Sequence, residues 1–204
     1  MDAVDYLKNP CAMSSLPLWK TNSVTMPSHL RILRDDEFRS CPLPGHDEPY
    51  FRLQHDLRSI PDSPLCSAYE LTACSVDAFA EHINACYDLE HVSAEELAAY
   101  TARPVFDPSL WIAVADRKTH RIVATGIAEL DTDIAEGILE WIQVSPSCRR
   151  QGLGTFVVCE LLRRMLGKAK FVTVSGRMQS ESCPYALYRV CGFDHPVIWH
   201  VIST

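Results

Sequence analysis

A chain of 204 residues that is 47% hydrophobic and 22% charged is ordinary for a single globular domain and long enough to bury a substantial core. Its formal net charge of −7 argues against broad nucleic-acid binding, which needs a basic footprint, and no uncharged apolar run reaches the roughly eighteen residues of a membrane span. Nine cysteines, an odd number without a CxxC pair, read as reduced thiols, and MDAVDYLKNP lacks the pattern of a secretory leader, so the expected setting is cytoplasmic.

Residues 1–64 carry eight of the thirteen prolines and show two strand-like segments, Leu30–Leu33 and Tyr50–Gln54. They lack enough periodic apolar sequence for a core of their own, so we read them as an extension packed on a main domain of residues 65–204. There AYELTAC suits a strand, and Ser75 caps a helix over VDAFAEHINACYDL. Ser93 followed by Glu96 is a capping box that opens a second helix. LWIAVADR and RIVATGIAEL flank the DRKTH turn as a hairpin, and ILEWIQV (Ile138–Val144) is a further strand. The next helix sets Val157, Val158, Leu161, Leu162, Met165 and Leu166 against an arc of Glu160, Arg163 and Arg164, a wide apolar stripe suited to a sheet. FVTV, PYALYRV and VIWHVI complete the order as strand, helix and strand. The expected fold is therefore α/β, with a mixed sheet flanked by helices.

Between ILEWIQV and the apolar helix lies SPSCRRQGLG. Glycines permit close approach to the backbone, and a helix start offers unpaired N–H donors, so this turn suits an anion. A nucleoside-triphosphate loop would need GxxxxGK[ST] and a dinucleotide fold GxGxxG; neither string is present. The pattern Arg149-x-x-Gly152-x-Gly154 after Val144-Ser145-Pro146, with Tyr188 four residues before Gly192-Phe193, resembles the GNAT (GCN5-related) superfamily of acyl-coenzyme A N-acyltransferases. The resemblance covers about two thirds of the chain and also fits the order of elements from Ser67 onward. It implies a mostly antiparallel GNAT-like sheet and acetyl-coenzyme A, or coenzyme A, as the bound anion.

On that resemblance the amides of Arg150, Gln151, Gly152, Leu153, Gly154 and Thr155 would face the diphosphate, with Arg149 and Arg150 adding charge. The pantetheine arm would enter where the strand of Ile142, Gln143 and Val144 splays from FVTV, and pair with its backbone. An N–H near Val144 would hold the oxyanion, and Tyr188 would protonate the leaving thiolate. One departure stands out. The family often carries an asparagine five to seven residues before this tyrosine, and Glu181, Ser182 and Cys183 fill that window here.

The acceptor in this reading is a primary amine of a small molecule or peptide, attacked directly in a ternary complex. An alkyl ammonium with a pKa of about 10.4 is only about 0.04% neutral at pH 7, so a proton acceptor is needed. Glu140, in the middle of an otherwise apolar strand, is the candidate base, and Glu136 could substitute. Glu129, Asp131, Asp133 and Glu136 form an acidic cluster that reads as a solvated turn or as an attractor for the amine. Cys148, Cys183 and Cys191 have no neighbouring histidine in sequence to support a covalent route, and no histidine spacing suggests a metal. His46 and His55 could line an acceptor pocket. Two other readings stay open: a non-catalytic acyl-coenzyme A sensor, and an interaction module in which the extension recruits a partner. A homodimer is compatible with both; nucleic-acid and membrane partners are not expected.

Overall fold

The computed structural model describes residues 1–21, 23–87, 90–180 and 184–203. In chain order its elements are α1 (Ala3–Lys8), α2 (Pro10–Met13), α3 (Leu18–Thr21), β1 (Leu30–Arg34), α4 (Asp35–Ser40), β2 (His46–His55), β3 (Tyr69–Thr72), α5 (Val76–Cys86), α6 (Ala94–Ala99), β4 (Trp111–Asp116), β5 (Ile122–Asp131), β6 (Glu136–Val144), α7 (Leu153–Met165), β7 (Phe171–Arg177), α8 (Pro184–Val190) and β8 (Asp194–Ser203). The class is α/β, with mostly antiparallel β-structure flanked by helices. Contacts divide the chain into two compact units, Met1–Asp56 with Phe171–Thr204, and Leu57–Lys170.

In the first unit the strands run β1-β8-β2-β7, each pair antiparallel. Residues from the proline-rich start thus supply a central strand. Phe51 sits opposite Gly176 and is fully buried. A Cβ on Gly176 would come within 2.6 Å of the Phe51 ring, so the glycine makes room for that ring against the sheet. Arg52, 1% exposed, donates to the Tyr6 hydroxyl at 2.6 Å, the Ser15 carbonyl at 3.1 Å and Thr173 Oγ1 at 3.3 Å. These bonds of the two Nη groups compensate the buried charge and anchor the first fifteen residues to β2 and β7.

In the second unit the order is β6-β5-β4-β3, again antiparallel throughout. Side chains alternate along β5, so its two faces meet different partners. Ile127 packs with Phe79, Ala80, Ile83 and Leu97 of α5 and α6. Gly126 faces the opposite way: a Cβ there would meet Val157 at 2.5 Å and Leu161 at 3.0 Å, so α7 lies close on that side. Local chemistry accounts for the helix starts. Ser75 accepts from the Ala78 amide at 3.2 Å. Ser93 and Glu96 exchange bonds at 3.0 and 2.8 Å, the capping box expected from sequence. The apolar stripe of α7 is buried from Val157 to Met165, but the helix ends there and Leu166 is exposed.

One expectation changes here. Glu129, Asp131 and Glu136 do not form a solvated turn: they are 2%, 7% and 0% exposed, and only Asp133 of that cluster faces water. The pairing of β5 with β6 draws them inward, and Arg103 covers Glu129 with an ion pair of 2.5 Å. On the polar arc, Arg163 and Arg164 occupy the last turn of α7, where Arg164 pairs with Glu160 at 2.8 Å and Arg163 donates to the Pro61 carbonyl at 3.0 Å.

Candidate functional site

β6 ends at Val144, and a short helical turn, Pro146–Cys148, leads to Arg149. Arg150 and Gly152 then adopt positive φ values of 63° and 83°, turning the chain sharply into α7. A Cβ on Gly152 would meet nothing within 4 Å, so glycine is required there by conformation, and the space before the turn is open. The first intrahelical bond runs from the Phe156 amide to the Gly152 carbonyl at 2.9 Å. The preceding amides of Leu153, Gly154 and Thr155 therefore lack intrahelical acceptors. Among the described residues no side chain caps them, and no acidic residue stands in the first turn. A helix of thirteen residues directs its positive end to this point.

The two arginines of the turn differ. Arg149 points back along the protein: Nε donates to the Val144 carbonyl and an Nη to the Cys86 carbonyl, each at 3.3 Å. Arg150 is exposed, and the Gln151 side chain accepts from the Tyr69 hydroxyl at 2.6 Å. Arg149 thus joins the ends of β6 and α5, while Arg150 remains beside the open turn.

On β6, Trp141 is opposite Ile127 and Leu139 opposite Ala128, so the register shifts by one residue at Glu140. Glu140 is the extra residue of a β-bulge, which breaks the alternation along the strand and re-aims a side chain. Glu140 is half-buried, whereas Glu136 is fully buried at the paired end of the strand, so Glu136 cannot substitute for it as a solvent-reached base. Ile142 gives its carbonyl to the Tyr87 hydroxyl at 3.4 Å. Burial raises that phenol to about 12. Gln143 is buried, and its amide donates to Thr125 Oγ1.

Beside Trp141 lies a cavity of about 390 Å³, walled by Tyr100, Trp141, His91, Val92, Glu96 and Arg103. The Arg103 guanidinium lies over the Tyr100 ring and is neutralised by Glu129. Glu96, held below the usual carboxylate range by the Ser93 amide and hydroxyl, keeps its charge. Trp141 Nε1 is buried without an acceptor.

Tyr188 belongs to the first unit, on α8. It is buried, with Phe51 at 5.9 Å and Phe193 at 5.6 Å between ring centroids. Gly192, at φ 94°, ends that helix, and the Phe193 amide returns to the Tyr188 carbonyl at 3.0 Å. The Gly-Phe signature is thus also a helix stop that places an aromatic ring on the tyrosine. His55 is buried against Phe193, and His46 is exposed at the start of β2, so the two share no pocket wall. Glu181, Ser182 and Cys183 lie outside the described residues.

Sequence reasoning missed His82. It is 7% exposed on the buried face of α5, with Nδ1 2.9 Å from Thr125 Oγ1 and Nε2 3.0 Å from Ser145 Oγ. Burial lowers its pKa to about 4 against an opposing bond to the Val123 backbone, so the ring is neutral. The signal available was a histidine flanked by Phe79 and Ile83 on the apolar stripe, four residues before Cys86. Cys86 Sγ does lie 3.7 Å from Nε2, but burial raises this thiol to about 11, which disfavours a reactive thiolate. Among the described residues no cluster of histidine, cysteine and acidic side chains could hold a metal ion, and no helix is long and apolar enough to cross a membrane.

Residues 76–193 match the model of the Acetyltransferase (GNAT) family. No curated protein matches the chain. Among solved structures, a GCN5-related N-acetyltransferase from Sphaerobacter thermophilus aligns with a TM-score of 0.65 at 16% identity, over 87% of this chain and 61% of that one. A GNAT-family acetyltransferase from Colwellia psychrerythraea gives 0.60 at 13% identity, over 86% of this chain and 64% of its own. The ribosomal-protein-S18-alanine N-acetyltransferase of Escherichia coli gives 0.51 at 17% identity, over 66% of this chain and 93% of that enzyme. At these identities the likeness is one of fold, and the chain spans about three fifths of the Sphaerobacter protein.

Proposed function

Because the chain belongs to the Acetyltransferase (GNAT) family, we propose that it carries an acetyl group from acetyl-coenzyme A to a primary amine of a small molecule or peptide, by direct attack in a ternary complex. The observation that carries this reading is the uncapped start of α7 behind Gly152. Coenzyme A supplies a diphosphate for that position. The amides from Arg150 to Thr155 grip it, the exposed Arg150 adds charge, and Arg149 supports the turn from behind. The pantetheine arm runs along the backbone of Ile142, Gln143 and Val144.

In the reaction the amine nitrogen attacks the thioester carbonyl, the C–N bond forms, and the C–S bond breaks. Glu140, re-aimed by the bulge, takes the ammonium proton directly or through water. An amide near Val144 stabilises the oxyanion. Tyr188 returns a proton to the thiolate of coenzyme A; its part rests on its place in the sequence signature. The carbon body of the acceptor fits the cavity beside Trp141, whose net negative charge, from Glu96, suits a cation. Residues 65–204 form the catalytic portion in this reading, residues 1–64 are an extension, and nine cysteines without a CxxC pair, read as reduced thiols, fit a cytoplasmic setting.

Release of coenzyme A in the presence of a panel of amines tests the proposal, beside calorimetry with acetyl-coenzyme A. Turnover with at least one amine and binding in the micromolar range are expected. Binding without turnover for any amine would favour a non-catalytic sensor, and no binding at saturating acetyl-coenzyme A would end both readings.

A further inference from the structure

We infer that His82 is a positioning residue for the coenzyme A turn: from inside the protein it holds Ser145, the first residue after β6, in the place from which the chain reaches Gly152. The inference rests on the proposed binding of coenzyme A at the start of α7, and adds a residue outside the family's sequence signatures.

The turn has few supports of its own. From Ser145 to Gly152 it has no regular strand or α-helical pairing, and Arg150 and Gly152 both take positive φ. Its first residue, by contrast, is fixed from three directions. The Ser145 amide donates to the Val123 carbonyl at 2.9 Å, and its hydroxyl meets His82 Nε2 at 3.0 Å. Arg149, four residues on, ties the Val144 and Cys86 carbonyls together. Two of these links come from α5, so its C-terminal half acts as a backstop for the turn.

His82 suits this role because both its ring nitrogens are engaged by hydroxyls. Thr125 and Ser145 can each donate or accept, so the neutral imidazole is satisfied in either tautomer. Gln143 completes the group through Thr125 Oγ1, which links two neighbouring strands and a helix in one buried network. Such a network favours one arrangement of the surrounding backbone, because moving Thr125 or Ser145 away would strand a ring nitrogen of His82. A shift of about 1 Å in Ser145 would carry into the amides that face the diphosphate and weaken their grip on it.

The test compares two acetyl donors. S-acetyl-pantetheine has the thioester arm but no diphosphate, so it reads the chemistry without the turn. For His82→Ala we expect KM for acetyl-coenzyme A to rise about tenfold with kcat within about twofold, and kcat/KM for S-acetyl-pantetheine to stay unchanged. His82→Gln, whose amide reaches as Nε2 does, should restore most of the affinity for acetyl-coenzyme A, and His82→Asn, which reaches only toward Thr125, should not. A merely structural role would lower both donors alike. Should His82→Ala fail to fold, Ser145→Ala removes the turn-side partner alone and must show the same donor-selective loss, about threefold. Equal losses on both donors, or none on either, overturn the inference. Calorimetry with coenzyme A separates it from the reading on which it rests. Wild-type protein that binds coenzyme A without turnover removes the enzyme and leaves His82 to be judged by the change in affinity; wild-type protein that does not bind it removes both.

Discussion

The starts of α6 and α7 solve the same problem in opposite ways. At α6 the chain satisfies its own amides: Ser93 and Glu96 exchange hydrogen bonds, and Glu95 and Glu96 set negative charge against the dipole. At α7 the chain supplies none of this. Gly152 offers no side chain, the first turn holds no acid, and the nearest arginine guanidinium with described partners, Arg149, is spent on two carbonyls behind the turn. A capped start closes the helix for its own stability, whereas an open one, preceded by backbone in the left-handed region, gives up that stabilisation and leaves its donors for a ligand.

The largest effect should come from closing the open start. Gly152→Val forces a β-branched residue to φ 83°, and we expect acetyl-coenzyme A affinity to fall about 100-fold by calorimetry, beside about 1–2 kcal/mol of lost stability. Acid should then loosen the backstop. The folded pKa of His82 is depressed to about 4 from 6.5, so the unfolded chain binds more protons between these values. The stability from this group is full above about pH 6.5 and is lost as pH falls toward 4, by about 2 kcal/mol after discounting for its partial solvent contact. Urea unfolding at pH 7 and pH 4.5 should show a smaller loss in His82→Gln than in wild type. Sharpening the contrast instead, Thr155→Glu gives α7 the acid that α6 has at its third position. It should raise the unfolding free energy slightly, by about 0.5 kcal/mol in urea titration, while weakening acetyl-coenzyme A binding about tenfold through charge repulsion. Ser93→Ala should do the reverse of a ligand effect: about 1 kcal/mol less stability and unchanged coenzyme A affinity. The smallest change is expected from Glu160→Gln, which removes a half-exposed partner of Arg164 and should cost under about 0.5 kcal/mol in urea titration, with no effect on binding.

Elements that declare themselves within ten or so residues were legible in the sequence. The caps at Ser75 and Ser93, the hairpin about Asp116, whose carboxylate takes the Lys118 and Thr119 amides, and the stripe of α7 as far as Met165 all stand as expected. Features made by distant pairing were not. The sequence marks β2 only over Tyr50–Gln54, yet the strand begins at His46 and pairs with β8 on both sides of Pro49. The bulge at Glu140 exists only relative to the register of β5. Asp131 and Glu136 look like turn residues until the strands place them opposite one another in the interior. The partners of His82 lie 43 and 63 residues away along the chain, beyond the reach of any local pattern. The glycine turn was visible for the contrary reason: its requirement, a positive φ before a helix, is met by one residue.

The placement of β2 bears on how the polypeptide is made. It ends at His55 and is flanked by β7, which begins at Phe171, and β8, which begins at Asp194. On the ribosome the strand emerges well over a hundred residues before either neighbour exists, and its hydrogen-bonding edges must wait for both. A nascent chain of this protein therefore carries Phe51 and Leu53 without their strand neighbours until β7 and β8 have emerged, and a version shortened past His55 would leave β7 and β8 without the strand that lies between them.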